Sequence, residues 1–506
     1  MPKFIDHDYN QMKLLPVSFD RQILPGTFEH SLHHLIDNEL DLSIFDHRYN
    51  NDDGGRPAFS PAILLKIVLL AYSRGMTSSR KIEALCRENV LFMAISADSH
   101  PHFTTIADFI SSSHEEIAKL FQQVLLICSQ LGLIGGEMFA VDGCKMPSNA
   151  SKQWSGSKAD LKRKADKIDR AVRFLLCKHR DEDRNAGNDH LIRQREEQQL
   201  EKLRRTSDKI KRFLAENDER KGATGKPVKG NITDNDSAKM KTGHGVIQGY
   251  TGVATVDSKH QVVVHAEAHG QGQEHGLLEP ALNGVEENLP EGKSALRQAK
   301  VTADSGFHST ETLARLEERN IDAYIADTGF RSRDPRFADA GRYKPRTRPT
   351  PKRHYGVEDF HVDIEQRTCI CPAGNSLWLK CAQAKITGRL FMQFQAHQAD
   401  CDSCADRARC LRNIHQKGAR QVNVKLADLP RAKNGVLERM RQKIDSSHGR
   451  YIYSQRLGTV EPVFGHIRET LGLSRFTLRG KKKVDGQWKL FTMLHNLLKI
   501  HRFGYA

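Results

Sequence analysis

Apolar residues recur at helical spacing through the first 135 residues. Ile63, Leu64, Ile67, Leu70 and Ala71 make one face behind Ser60-Pro61, an N-cap with proline at the first helical position, and Gly75 ends the stretch. A second helix is expected from about Ser79 to Asn89. Thr105 with Asp108 and Ser113 with Glu116 have capping-box spacing and predict a third and a fourth helix, the last reaching about Gln130. Short helices with tight turns suit a helix-turn-helix-like DNA reader, and equally a plain helical packing domain. From Lys158 to about Lys221 the chain is mostly charged. Leu161, Ile168, Val172, Leu175 and Leu176 form one apolar stripe, and Leu200, Leu203, Ile210 and Phe213 a second, with a polar break at 181–189. That pattern predicts an antiparallel helical hairpin or coiled-coil arm, followed by a flexible linker at 222–230.

Elsewhere the period changes to that of strands. Phe139-Ala140-Val141 is a short apolar run ending at Asp142-Gly143. Tyr250 to Val256 and Gln261 to Ala268 flank a turn at 257–260 and read as a hairpin. A helix over about 274–287 has to start or kink at Pro280. Lys300 to Ala303 is a strand ending at Asp304-Ser305-Gly306; a helix from Ser309 to about Glu318 and a strand from Ala323 to Ala326 follow. This order predicts a mixed α/β sheet. Residues 330–353 are basic and proline-rich, which predicts an irregular connection, and helices resume at about Val436. The expected organisation is an N-terminal helical, candidate DNA-binding domain over 1–135 and a core over 136–330 interrupted by a helical arm at 158–221. A Cys-rich subdomain is inserted at 331–435, and C-terminal helices fill 436–506.

Charge narrows the function. The chain has 78 Lys and Arg against 62 Asp and Glu, a net charge of +16, which favours a polyanionic partner, most often nucleic acid. No run of about 20 apolar residues exists to span a bilayer, and no apolar signal core follows the first residues, so a cytoplasmic protein is expected. Of the 10 Cys, six fall between Cys369 and Cys410, a clustering that in a reducing compartment suggests zinc before disulfides. Cys401-Asp402-Ser403-Cys404 is a Cys-x₂-Cys pair with Cys410 beyond it, and Cys371-Pro372-Ala373-Gly374 has the makings of a tight knuckle. The tetrahedral set expected is Cys371, Cys401, Cys404 and Cys410, with Cys369 as the alternate first ligand; a group of reduced thiols is the other reading. Arg479-Gly480-Lys481-Lys482-Lys483 is a candidate phosphate contact or a solvated charge run, and Trp154 and Trp488 are candidates for base stacking or for the core.

The candidate chemistry lies in carboxylates. Asp142 and Asp304 each follow a short apolar strand and precede a small residue, a position suited either to a divalent cation or to a simple turn. Glu461 is the candidate third acid; Arg468, two helical turns on, shares its face, and Pro462 requires the helix to start or kink there.

Val141-Asp142-Gly143, Thr302 to Phe307 and Val460 to Gly465 together resemble the DDE transposases of bacterial insertion sequences, a likeness running from about residue 40 to 500. It extends to Gly54-Gly55-Arg56-Pro57 and to Thr233-Asp234-Asn235-Asp236-Ser237. The resemblance implies a ribonuclease H-like core with catalytic Asp142, Asp304 and Glu461 holding two Mg²⁺ or Mn²⁺ ions. Tyr453 and Arg456 match the first members of the Tyr-Arg-Glu-Lys signature of one branch; Arg456 to Glu461 is one residue longer than the common pattern, and Arg468 stands where Lys is usual. The implied partners are double-stranded DNA, as transposon ends and target, and a second copy of the chain. The implied reaction is cleavage and strand transfer, with a non-catalytic DNA-binding descendant and a ribonuclease H-like nuclease as the alternatives.

Overall fold

The computed structural model describes residues 17–49, 57–184, 190–220, 227–243, 245–289, 292–337, 354–386, 389–413, 416, 418–428 and 435–504. Gly54, Gly55 and Arg56, most of the expected arm break (185–189), the linker at 222–226 and the connection at 338–353 lie outside them. The chain divides into two compact units, one of Met1–Asp327 with Ser446–Ala506, the other of Thr328–Asp445.

The first unit begins with helices. Pro61–Ser73 is buried from Leu64 to Tyr72, including Lys66, whose Nζ is 2.6 Å from Asp37 Oδ2 and 3.0 Å from His33 Nδ1. Ser79–Glu88, Val90–Ile95, Phe103–Ser112 and His114–Gln130 follow. Neither expected capping box forms. The third long helix starts earlier, at Phe103, because His102 is its N-cap and Glu83 takes the Phe103 N–H at 3.0 Å. At the fourth, Arg48 donates to Ser113 Oγ at 2.5 Å and stands 3.7 Å from Glu116, so both box residues serve a distant partner.

The main sheet is mixed. β1 (Met138–Pro147) is followed by two-residue strands β2 (Ser155–Gly156) and β3 (Gly230–Asn231), which pair at the base of the arm. Then come β4 (Ala238–Thr242), β5 (Gly245–Asp257), β6 (Val263–His269), β7 (Lys300–Ala303) and β8 (Asp322–Ile325). The order is β4-β5-β1-β7-β8, with β6 also on β5. β5 is antiparallel to β1, β4 and β6, whereas β7 and β8 run parallel to β1. β5 is buried from Gln248 to Asp257, as expected of a sheet covered on both faces. The helix Lys481–Phe503 supplies much of that cover: Trp488 is fully buried with Nε1 donating to Val253 O at 2.9 Å. Asn496 takes the Val263 N–H and donates to its carbonyl, both at 2.8 Å, so it closes polar groups that an edge strand leaves open. The arm helices, Lys158–Arg184 and His190–Glu216, share a small core of Leu161, Ala165 and Ile210.

The second unit is an antiparallel sheet of order β13-β12-β11-β10-β9, from β9 (His361–Asp363), β10 (Thr368–Ile370), β11 (Ser376–Ile386), β12 (Arg389–Gln395) and β13 (Gln421–Asp428). Its core is Phe360, Cys369, Leu377, Met392, Phe394 and Val422 with their neighbours. Among the described residues no helix is long and apolar enough to cross a membrane.

Candidate active site

Two parallel strands bring the first two acids together. The last paired rung between β1 and β7 is Val141 with Ala303, so Asp142 and Asp304 follow side by side at the carboxyl end of β7. Open α/β sheets place their ligands at such strand ends. Gly143 N–H donates to Asp142 Oδ1 at 2.8 Å. The other oxygen, Oδ2, accepts from Arg456 Nη1 at 2.6 Å, and Arg456 Nη2 stands 3.5 Å from Asp304 Oδ1. One guanidinium therefore bridges both carboxylates. Tyr453 OH donates to the same Asp304 oxygen at 3.4 Å, and Arg456 lies over the Tyr453 ring at 5.6 Å.

Burial dominates the electrostatics. It pushes the Asp142 carboxyl above the usual range; Arg456 pulls it back, and the neighbouring Asp304 charge raises it. Burial works to lower the Arg456 pKa, yet the Asp142, Tyr453 and Asp304 charges leave it raised. Burial also raises the Tyr453 hydroxyl to about 12.

A third carboxylate in the cleft lies outside the set that the sequence suggests. Glu274 sits in the loop after β6, 11% exposed, with Lys145 Nζ 3.7 Å from its Oε1. A Cβ at Gly306 would lie 2.0 Å from Glu274 Oε2, and one at Gly143 would lie 3.2 Å from Oε1. The glycines that follow the two aspartates thus leave space for this carboxylate. Burial raises its pKa, Lys145 opposes that, and Asp142 and Asp304 add to it. The available signal is an acid in Gly270-Gln271-Gly272-Gln273-Glu274, a strand end with small neighbours like those of Asp142 and Asp304. Reading Glu274 as the first residue of a helix conceals it; the helix is Leu278–Asn288.

Glu461 stands differently. The helix Ser447–Gly465 buries Ile452, Arg456, Thr459, Val460 and Val463. Glu461 is one residue past Val460 and is exposed, its side chain making no hydrogen bond or ion pair among the described residues. The helix neither starts nor ends at Pro462. The Gly458 carbonyl, which proline leaves without its helical donor, instead accepts from Gln261 Nε2 at 3.0 Å. Arg468 is exposed in the turn His466–Thr470; burial raises the Cys144 thiol, two residues along β1 from Asp142, and the Arg468 charge opposes that rise.

The basic run is partly engaged within the chain. Arg479 donates to Asn149 O at 3.0 Å, and Lys481 Nζ is 3.0 Å from Glu267 Oε1. Asp234 and Asp236 accept from the N–H groups of Gly480 and Lys481, so that part of the Thr233–Ser237 segment anchors the start of the last helix. Lys482 and Lys483 are exposed. Trp488 is core, whereas Trp154 packs with the arm, Lys164 Nζ lying 4.8 Å from its ring centre.

In the second unit Cys371, Cys401, Cys404 and Cys410 line one cavity of about 30 Å³. Asn375 N–H donates to Cys371 Sγ at 3.3 Å, and Gly374 takes φ of +85° to make the knuckle. Burial raises the Cys410 thiol, Arg420 opposes, and Cys401, Cys371 and Cys404 raise it further. Cys369 is instead a core residue of β10. Among the described residues no group of three or more His, Cys, Asp or Glu side chains is placed to hold a metal ion, here or at the acids of the cleft.

Two family models match the chain: a transposase DDE domain over residues 370–501 and a transposase domain (DUF772) over residues 17–112. The first covers the four thiols together with Tyr453, Arg456 and Glu461, and it indicates an enzyme that cleaves and transfers DNA. No curated protein matches the chain.

Proposed function

We propose, from the premise that these two domain matches support a DDE transposase of insertion-sequence type, that the chain cuts and joins DNA at the Asp142–Asp304 cleft. The observation that carries the proposal is the pair of carboxylates on neighbouring parallel strands, Asp142 within β1 and Asp304 just past β7, sharing one guanidinium. The sheet supports a ribonuclease H-like core: β1, β5 and β6 are consecutive antiparallel neighbours, and β7 and β8 cross over to lie parallel to β1.

The acids fit divalent cations. Both already offer oxygen to one positive group, and oxygen donors suit Mg²⁺ or Mn²⁺. Asp142 and Asp304 would hold the ions, Glu461 would complete the set by a helix adjustment, and Glu274 is placed to assist. Bound there, two such ions would activate the attacking oxygen and stabilise the leaving one. The chain's own residues position the DNA. Tyr453 and Arg456 on the glutamate helix and Arg468 in the turn after it would line the approach, and Arg479, Lys481, Lys482 and Lys483 would extend the positive surface toward the phosphates. Water attacks a phosphodiester at the element end and breaks its P–O3′ bond, leaving a 3′-hydroxyl on one side and a 5′-phosphate on the other; that hydroxyl then attacks a target phosphodiester, whose own 3′-oxygen leaves as a hydroxyl as the new P–O bond joins the strands. The partners on this reading are double-stranded DNA and a second protomer, in a bacterial cytoplasm at the nucleoid.

The test is a strand-transfer assay with Mn²⁺ and duplexes from the DNA flanking the gene. Joined product is the expected result. Cleavage alone would make the protein a nuclease, and binding with neither would make it a non-catalytic DNA-binding protein.

A structural zinc ion belongs to the same proposal, at Cys371, Cys401, Cys404 and Cys410. The shared cavity and the N–H to sulfur bond at Cys371 support it, with small thiol movements closing the tetrahedron. Metal analysis of the full chain purified without chelator is expected to find one zinc per chain, absent from Cys404→Ser. Zinc-free protein with four alkylatable thiols in the cavity would refute it.

A further inference from the structure

We infer that Arg456 occupies the cation position between Asp142 and Asp304 while DNA is absent, and that a DNA phosphate draws it away so that the acids can take up metal. The inference rests on the proposal that those acids bind divalent ions.

Three observations carry it. First, the guanidinium bridges the pair, with Nη1 2.6 Å from Asp142 Oδ2 and Nη2 3.5 Å from Asp304 Oδ1. A cation between two carboxylates relieves their repulsion, and a second cation cannot share the same oxygens without displacing it. Second, the resting position is incompletely satisfied. Arg456 is 5% exposed, yet its Nε has no hydrogen-bond partner among the described residues. A buried donor without a partner favours an alternative place where that donor is used, and a phosphodiester offers a guanidinium two oxygens in a matching fork. Third, Arg456 is one turn from Tyr453, whose ring it overlies at 5.6 Å and whose hydroxyl reaches Asp304. The ring gives the guanidinium a flat surface along which to leave the aspartates.

Arg456 is then a positioning residue with two alternative anionic partners, carboxylates without DNA and phosphate with it. Because binding linkage is reciprocal, DNA tightens metal binding and metal tightens DNA binding by the same factor. The arrangement would restrict metal loading, and hence cutting, to protein already on DNA.

The test is Mn²⁺ titration of the full chain by calorimetry and by electron paramagnetic resonance, with and without a short duplex of arbitrary sequence. Without DNA, Arg456→Gln is expected to bind Mn²⁺ more tightly than the unaltered protein, by roughly 5- to 150-fold. Arg456→Lys, which keeps the charge but loses the fork, is expected to fall between them. DNA is expected to tighten Mn²⁺ binding strongly in the unaltered chain and weakly in Arg456→Gln. Equal or weaker Mn²⁺ binding by a folded Arg456→Gln overturns the placeholder role. Asp304→Asn separates this inference from the proposal beneath it. If it binds Mn²⁺ as the unaltered chain does, the acids are not the metal site and both proposals fall. If it loses Mn²⁺ while Arg456→Gln shows no gain, only the Arg456 inference fails.

Discussion

The oxygen-lined cleft and the thiol-lined cavity are built on opposite plans. In the cleft, donors are held on two neighbouring strands of a large sheet, and a cation from the chain already lies between them. In the cavity, donors come from a knuckle, two short helical turns, Gln398–Asp402 and Arg407–Cys410, and the link between those turns, around a space of about 30 Å³. The cleft's donors lie on paired strands and share a guanidinium; the cavity's lie on short turns around a small space. Hard oxygen ligands with an exchangeable cation suit metals that act on a substrate, and soft closed ligands suit one that serves only to fold its surroundings.

The largest effect should come from the cleft. Asp304→Asn is expected to lower DNA cleavage by roughly a thousandfold or more while DNA binding persists, read by gel assays of cutting and of mobility. Retained cleavage would remove Asp304 from the reaction. Next comes the cavity. Zinc binding is folding free energy on the order of 10 kcal/mol in small zinc units. Chelator, or Cys404→Ser, is therefore expected to make Thr328–Asp445 protease-sensitive while the other unit resists. Uniform resistance would mean the thiol cavity needs no ion.

Gly306→Ala sharpens the oxygen side. Its Cβ would meet Glu274 Oε2 at 2.0 Å, so the carboxylate must leave. Cleavage is expected to fall as far as in Glu274→Gln; if both variants cut normally, Glu274 is a neighbour and no more. Acid provides a milder probe of the frame around the cleft. Burial holds His265 down to about 4, below the usual value near 6.5. Its contribution to stability is complete above about pH 6.5 and is lost as pH falls toward 4, because the unfolded chain takes the proton first. Thermal melts of chelated protein should follow that window, and His265→Gln should flatten it. The smallest effect belongs to the exposed lysines. Lys482→Ala with Lys483→Ala is expected to make DNA binding less salt-dependent, the logarithmic slope falling by about 0.9 for each phosphate that is no longer neutralised. An unchanged slope would return them to the solvated surface.

Local signals make parts of this structure legible and long-range ones hide the rest. Asp142 and Asp304 can be singled out because an apolar run followed by an acid and small residues is a local pattern; β7 ends where that pattern puts it, whereas β1 runs on past Asp142 to Pro147 because β5 continues to pair with it. The mixed α/β order and the helical N-terminal region are equally local in origin. The two capping boxes mislead because His102 and Arg48 compete for the ends of those helices, and only folding brings Arg48 there. Pro462 misleads for a similar reason: Gln261, from the turn before β6, supplies the donor that the helix lacks. Glu274 escapes notice since nothing in its own neighbourhood shows that two glycines elsewhere make room for it.

The separation of 314 positions between Asp142 and Arg456 has a consequence for synthesis. On the ribosome both aspartates emerge long before the guanidinium that bridges them, and the Asn496 that covers β6 comes later still. A nascent chain halted before Ser446 would carry two adjacent negative charges and an uncovered strand edge, a form prone to aggregate and open to proteases. Quality control during translation would then discard truncated products, and only chains translated to near their end would acquire a finished cutting centre.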